Sequence, residues 1–180
     1  FLPWELNGEV LRKGGYFYYS LGMTNEAARW AYEYMVMRGL TPERLIMLIK
    51  TELINENYQL AAKYNAILKS SLFYKKEAAK FGKLLENHDL IDKDQELGKV
   101  KRLKTKADFF VLAENPPANV DSILKSDPAN FVAVQYKFAV LLLQKDYKTI
   151  TETLPVLERS GFSHIPKNIE EAVVCFFLFN

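Results

Sequence analysis

A single cysteine, Cys175, stands in the whole chain, which excludes an internal disulfide, a four-cysteine zinc site and any CxxC redox pair. Histidine is nearly as scarce. His88 and His164 lie far apart among loop-like residues, and neither has a second His or a Cys at ligand spacing, so no zinc motif and no Cys/His nucleophile pair is written in the sequence. Long hydrophobic runs are also missing: the longest, Val173 to Phe179, falls well short of the roughly 20 residues that span a bilayer. Charge of one sign does not dominate either. Against 24 Lys and Arg stand 22 Asp and Glu, a net charge of +2, so no strongly electrostatic partner is implied. No segment has the basic start, apolar middle and small-residue cleavage site of a signal peptide, and the chain opens at Phe1. It reads as a soluble fragment of something longer. What is present is apolar material, 49% hydrophobic and 13% aromatic residues, which is enough for a real core and excludes disorder.

Apolar residues recur at three and four rather than alternating, and Gly and Pro sit mainly between the periodic stretches, so the expectation is an all-α chain. Helices are predicted from about Glu9 to Leu21, from Asn25 as N-cap to Arg38 with Gly39 after it, and from Thr41-Pro42 onward. Two more follow, from about Asn57 to Ser70 and from Ser71 to Asn87, the latter with Phe73, Ala78, Phe81, Leu84 and Leu85 on its dry side. From His88 to Pro117 the pattern loosens into an irregular insert, although Asp92-Lys93-Asp94-Gln95 has capping-box spacing and predicts a short helix to about Leu103. Pairing then resumes over 118–180. A short helix is expected at Val120 to Lys125, others opened by Asp127-Pro128 and by Asp146, and a last one near Pro166; Pro155 falls inside the Asp146 helix. The reading is one helical-repeat domain over 1–180, with the first helix pairs in about 9–87.

Self-similarity is present at a fixed period. Ala27-Ala28-Arg29-Trp30 returns 34 residues later as Ala61-Ala62-Lys63-Tyr64, and half a period after that as Ala78-Ala79-Lys80-Phe81. Small residues permit the close crossing of two helices, and the aromatic fills the space beside it. Gly14-Gly15, then Tyr18, then Ala27 resembles the tetratricopeptide pattern, as does the turn Lys145-Asp146-Tyr147. Departures are that Gly14 replaces a Leu, Leu11 a Trp, Ala31 and Asn65 a large aromatic, and Phe138 a small residue. The resemblance implies an array of antiparallel helix pairs, an α-α superhelix. Longer phrases, 16–31 (YFYYSLGMTNEAARWA), 57–74, 127–146 and 154–172, resemble an uncharacterised group of multi-pass bacterial membrane proteins with a soluble tetratricopeptide-like C-terminal region. That resemblance implies a membrane part upstream of Phe1 and a domain on the periplasmic side, with the cytoplasmic side left open. No catalytic motif comes with it.

Candidate sites follow from these patterns. Asp92, Asp94 and Glu96 alternate like calcium-loop ligands, but Leu97 and Leu103 stand where the loop needs Gly and Glu, so they read as an acidic helix start. Lys99, Lys101, Arg102, Lys104 and Lys106 form the one dense basic patch; it is a solvated helix end or a contact for anionic lipid headgroups, and without interleaved aromatics it does not suggest nucleic acid. With Tyr18 at the packed position, Arg12, Tyr16 and Tyr19 face the groove of a helical-hairpin array, Glu43 and Lys50 face it from the next pair, and Gln135 is the late counterpart. Tyrosine beside Arg and Lys suits a protein or peptide partner. The leading expectation is therefore a non-enzymatic interaction or scaffolding module, with no cofactor and no metal. The alternatives are a small-molecule or hydrolytic pocket using Glu86, Asp89 and Asp92, and a spacer or dimerisation domain using Phe176, Phe177 and Phe179.

Overall fold

The structure is a computed structural model and describes residues 8–105, 112 and 115–179. Part of the predicted insert (106–111 and 113–114, with Lys106) and the Phe179 side chain lie outside the described residues. Among the described residues the secondary structure is entirely helical: α1 (Gly8–Ser20), α2 (Thr24–Arg38), α3 (Pro42–Ile54), α4 (Tyr58–Lys69), α5 (Lys75–Glu86), α6 (Asp89–Lys93), α7 (Leu97–Arg102), α8 (Pro116–Ser126), α9 (Phe131–Gln144), α10 (Tyr147–Arg159) and α11 (Lys167–Phe179). They fall into two compact units, Phe1–Lys104 and Thr105–Asn180, so the helical first part of the insert belongs to the first unit.

Side-chain caps open α3, α8, α9 and α10 and explain several differences from the sequence reading. Thr41 accepts from the Arg44 amide at 3.4 Å with Pro42 in the first turn, as expected. Asp146 accepts from Thr149 N at 3.1 Å, and Pro155 does lie inside α10. Asn25 is not a cap: α2 begins one residue earlier, after Met23, with no side-chain cap. Asp127-Pro128 forms a turn in which Asp127 accepts from Ala129 N at 3.2 Å, and Asn130 caps α9 by accepting from Ala133 N at 3.0 Å. The helix predicted at Val120 starts at Pro116, because both prolines fit its first turn and Asn115 caps it. The Asp92 capping box does not form. Asp94 ends α6 and caps α7 instead, accepting from Leu97 N at 2.9 Å and Glu96 N at 3.0 Å.

In the first unit successive helices α1 to α5 pack on one another, and turns of three residues between α1, α2, α3 and α4 require them to run antiparallel. The repeated quartets mark equivalent packed positions: Ala27, Ala61 and Ala78 are buried, as are Trp30 and Phe81. Gly14 shows why the α1–α2 crossing is close, since a Cβ there would lie 2.3 Å from the Trp30 ring. Tyr18 completes that contact with its ring centroid 5.4 Å from that of Trp30.

Alternation gives the stack two distinct ends. The α1–α2 and α3–α4 turns share one end, joined by a Thr24 hydroxyl donating to Asn55 Oδ1 at 2.6 Å. There α7 packs on α3, and Leu103 lies against the α1–α2 turn so closely that a Cβ on Gly22 (φ 81) would meet its carbonyl oxygen at 2.1 Å. The α2–α3 and α4–α5 turns share the opposite end. Helix α5 begins at Lys75 rather than Ser71, so Phe73 sits in the turn and is 92% exposed, where the sequence reading has it on the dry side.

The second unit pairs α8 with α9, α9 with α10 and α10 with α11 around Val134, Phe138, Leu141, Ile150, Leu157, Ile169 and Ala172. Asn119 ties the start of this unit by accepting from Leu112 N at 2.9 Å and donating to Leu112 O at 2.8 Å.

Candidate binding site

The predicted groove residues of α1 and α3 separate into a closed half and an open half. Tyr19 is 6% exposed, and its hydroxyl lies beside Glu96 without a well-aligned hydrogen bond. Burial first, and then the Glu96 charge, push the Tyr19 phenol well above its usual range. Lys50 Nζ donates to both Glu96 oxygens at 2.8 Å. The expectation that Tyr19 and Lys50 face an open groove therefore does not hold: the α6–α7 segment, read as an irregular insert, returns to cover them.

Arg12, Tyr16 and Glu43 remain accessible and converge. Glu43 is the hub: the Tyr16 hydroxyl donates to it at 3.1 Å, and Arg12 Nη1 at 3.7 Å and Arg44 Nη2 at 3.0 Å form ion pairs with it. Arg12 is fixed from its other side by Glu9, to which it donates twice at 2.8 Å, and that pairing holds the Glu9 carboxyl down to about 2. Beneath them Arg44 is 0% exposed, and none of its three side-chain nitrogens makes an aligned hydrogen bond; the Glu43 contact is an ion pair only. Its guanidinium lies 4.4 Å from the Tyr34 ring centroid and 5.8 Å from that of Tyr16, so aromatic faces supply part of what water would. Burial and the Glu43 carboxylate raise the Tyr16 phenol above its ordinary value. This patch contains no histidine or cysteine, so it offers recognition by guanidinium, carboxylate and phenol rather than a proton carrier near neutrality.

Arg44 escaped the sequence reading, yet a signal was there. A cation in the first turn of a helix opposes the macrodipole, so Arg44 just after Pro42 has to be held by something other than its own helix.

The remaining candidates are dispersed. Gln135 is exposed at the rim of a small apolar cleft of about 180 Å³ in the second unit, lined also by Phe138, Leu157 and Phe162. Glu86 lines a second cleft, about 660 Å³ between α4 and α5, together with Lys69, Lys75, Lys83 and Asn65. Asp89 is exposed, and Asp92 accepts from Lys101 at 3.3 Å, so these three acids serve different places. In the basic patch Lys101 is half-buried between Asp92 at 3.1 Å and Glu56 at 3.8 Å, while Lys99, Arg102 and Lys104 are exposed. His88 stacks on Tyr58 with ring centroids 3.5 Å apart. Among the described residues no group of three or more His, Cys, Asp or Glu is placed to hold a metal ion, and no helix is long and apolar enough to cross a membrane.

The whole helical chain is covered by one family profile, which matches residues 1–179. The chain belongs to the family of unknown function DUF6057. No curated protein and no solved structure matches it.

Proposed function

We propose that this chain is a non-enzymatic, tetratricopeptide-like interaction module that holds a protein or peptide partner on the open half of its α1–α3 layer. The observation that carries the reading is the preorganised cluster of Arg12, Tyr16 and Glu43 above the fully buried Arg44. An arginine without aligned hydrogen bonds is costly to bury, and its one evident consequence is that Glu43 and Tyr16 are held in place before a partner arrives. Equivalent burial of Ala27, Ala61 and Ala78 supports the repeat reading. The resemblance of the long phrases 16–31, 57–74, 127–146 and 154–172 to a group of bacterial membrane proteins supports placement beside a membrane part on the periplasmic side.

The test is selection of displayed random peptides on the purified chain, counter-selected on a Tyr16→Ala/Glu43→Ala variant. Peptides that bind the parent at least about tenfold more tightly than the variant are expected, given the weight of tyrosine and charged anchors in interfaces. Enrichment that survives the double substitution would remove the site from consideration. A second reading, self-association, has its own observation: Val174, Phe177 and Leu178 on α11 are exposed. Sedimentation of the parent against Phe177→Ser distinguishes it.

A further inference from the structure

Two turns at the same end of the first unit carry large apolar side chains into solvent. Leu72 is 77% and Phe73 92% exposed in the α4–α5 turn, and Val36, Met37 and Leu40 are exposed around the α2–α3 turn. A folded chain that buries Phe81 completely gains nothing internally from Phe73 at the tip of a five-residue turn. Lysines flank it along the chain. From Asn57 to Lys76 the chain has four lysines, Lys63, Lys69, Lys75 and Lys76, and no acidic residue. All four are exposed, and among the described residues none of them forms an ion pair, in contrast to Lys50, Lys80 and Lys101 of the same unit. Lys69 and Lys75 also line the α4–α5 cleft.

From this arrangement we infer that the end of the first unit bearing Leu72 and Phe73 docks on an anionic lipid bilayer. The two apolar side chains enter the headgroup region, and Lys69, Lys75 and Lys76 meet the lipid phosphates. Charge complementarity favours this occupant: an exposed apolar turn flanked along the chain by the unpaired Lys69, Lys75 and Lys76, with Glu77 the one acid in the first turn of α5, fits a negatively charged interface, whereas a protein groove would need acidic walls to match it. The basic patch at Lys99, Arg102 and Lys104 is not part of this surface, because α7 closes the opposite end of the stack against Gly22. The inference concerns these turns alone and stands apart from the peptide site around Tyr16.

The test is co-sedimentation of the full 180-residue chain with vesicles of phosphatidylcholine, or of phosphatidylcholine with about one-third phosphatidylglycerol. Retention is expected on the anionic vesicles only and is expected to fall with added salt. Phe73→Ser is expected to lower partitioning about tenfold or more, as loss of one buried aromatic ring would. Lys75→Glu/Lys76→Glu lowers it by a similar factor, while Lys99→Glu/Arg102→Glu/Lys104→Glu leaves it unchanged. These residues are solvent-exposed, and unchanged circular dichroism verifies that each variant folds. Absence of retention, equal retention on neutral vesicles, or loss only in the Lys99/Arg102/Lys104 variant would overturn the inference. So would a dimer dissolved by Phe73→Ser, which assigns the tip to a second copy. Peptide capture by the Tyr16 site is expected to survive Phe73→Ser, so failure of either proposal is visible separately.

Discussion

At one end of the α1–α5 stack the α1–α2 turn is buried: Leu21 and Met23 are covered, Gly22 lies against Leu103, and Tyr19 and Lys50 sit beneath Glu96. At the other end the turns point outward with Val36, Leu40, Leu72 and Phe73, and Tyr16 stays 43% exposed above a buried Arg44. Both ends are made of the same short connections between the same amphipathic helices. What separates them is a piece of chain: the α6–α7 segment returns to one end and not to the other. A helical stack leaves half-satisfied surfaces at both ends, and this fold resolves one with its own residues.

The strongest way to test that contrast is to truncate the two tyrosines separately. Tyr19→Ala removes a buried ring and is expected to cost about 3–5 kcal/mol in urea unfolding. Tyr16→Ala removes a half-exposed ring and is expected to cost less than about 1 kcal/mol. Similar losses would show that both tyrosines are core and that the open half is not available to a partner.

Two glycines give a smaller, local version of the comparison. Gly22 and Gly39 have nearly the same positive φ, 81 and 83, but a Cβ at Gly39 meets nothing within 4 Å. Gly39 combines that φ with ψ 178, a region almost confined to glycine, so Gly39→Ala is expected to cost backbone strain alone, about 1–3 kcal/mol. Gly22→Ala adds a collision with the Leu103 backbone and is expected to free α7, seen as faster hydrogen exchange at the Val100 and Leu103 amides. Equal stability losses with α7 still protected would mean that Leu103 does not hold the segment.

The helical class, the positions of most helices and the repeated small residues were legible because 3.6-residue periodicity and caps are local signals. Thr41-Pro42 and Asp146 act as their chemistry dictates. The site was legible only in half, and for a physical reason. Tyr16 and Tyr19 are three residues apart on one helix and share its face. Their different fates depend on where residues 89–102 return, which is a long-range contact that no period encodes. Phe73 was misplaced for a related reason: its spacing to Phe81 fits a helix, but Ser70, Ser71 and Leu72 form a turn that shifts the helix start to Lys75. Arg44 depends on Tyr16 and Tyr34 from two other helices, so only its awkward place in a first helical turn hinted at it.

The smallest expected effect tests what keeps the closed end closed. Burial alone would raise the Asp94 carboxyl, but the Leu97 amide, the Lys80 ammonium at 2.9 Å and the Glu96 amide together hold it below its ordinary value of 3.8. Folding then favours the ionised form, so the contribution is fully present above 3.8 and is lost as pH falls through the lower value in the folded chain. Its size is bounded by the worth of a helix cap, about 1 kcal/mol. Amide protection in α7 is accordingly expected to fall below about pH 4 while the amides around buried Ala61 and Phe81 stay protected. Asp94→Asn keeps an accepting oxygen for the Leu97 amide and cannot titrate, so it is expected to abolish this acid step at a modest constant cost. Persistence of the step in Asp94→Asn would move the acid sensitivity to another carboxylate and leave the α7 cap without a part in closing this end.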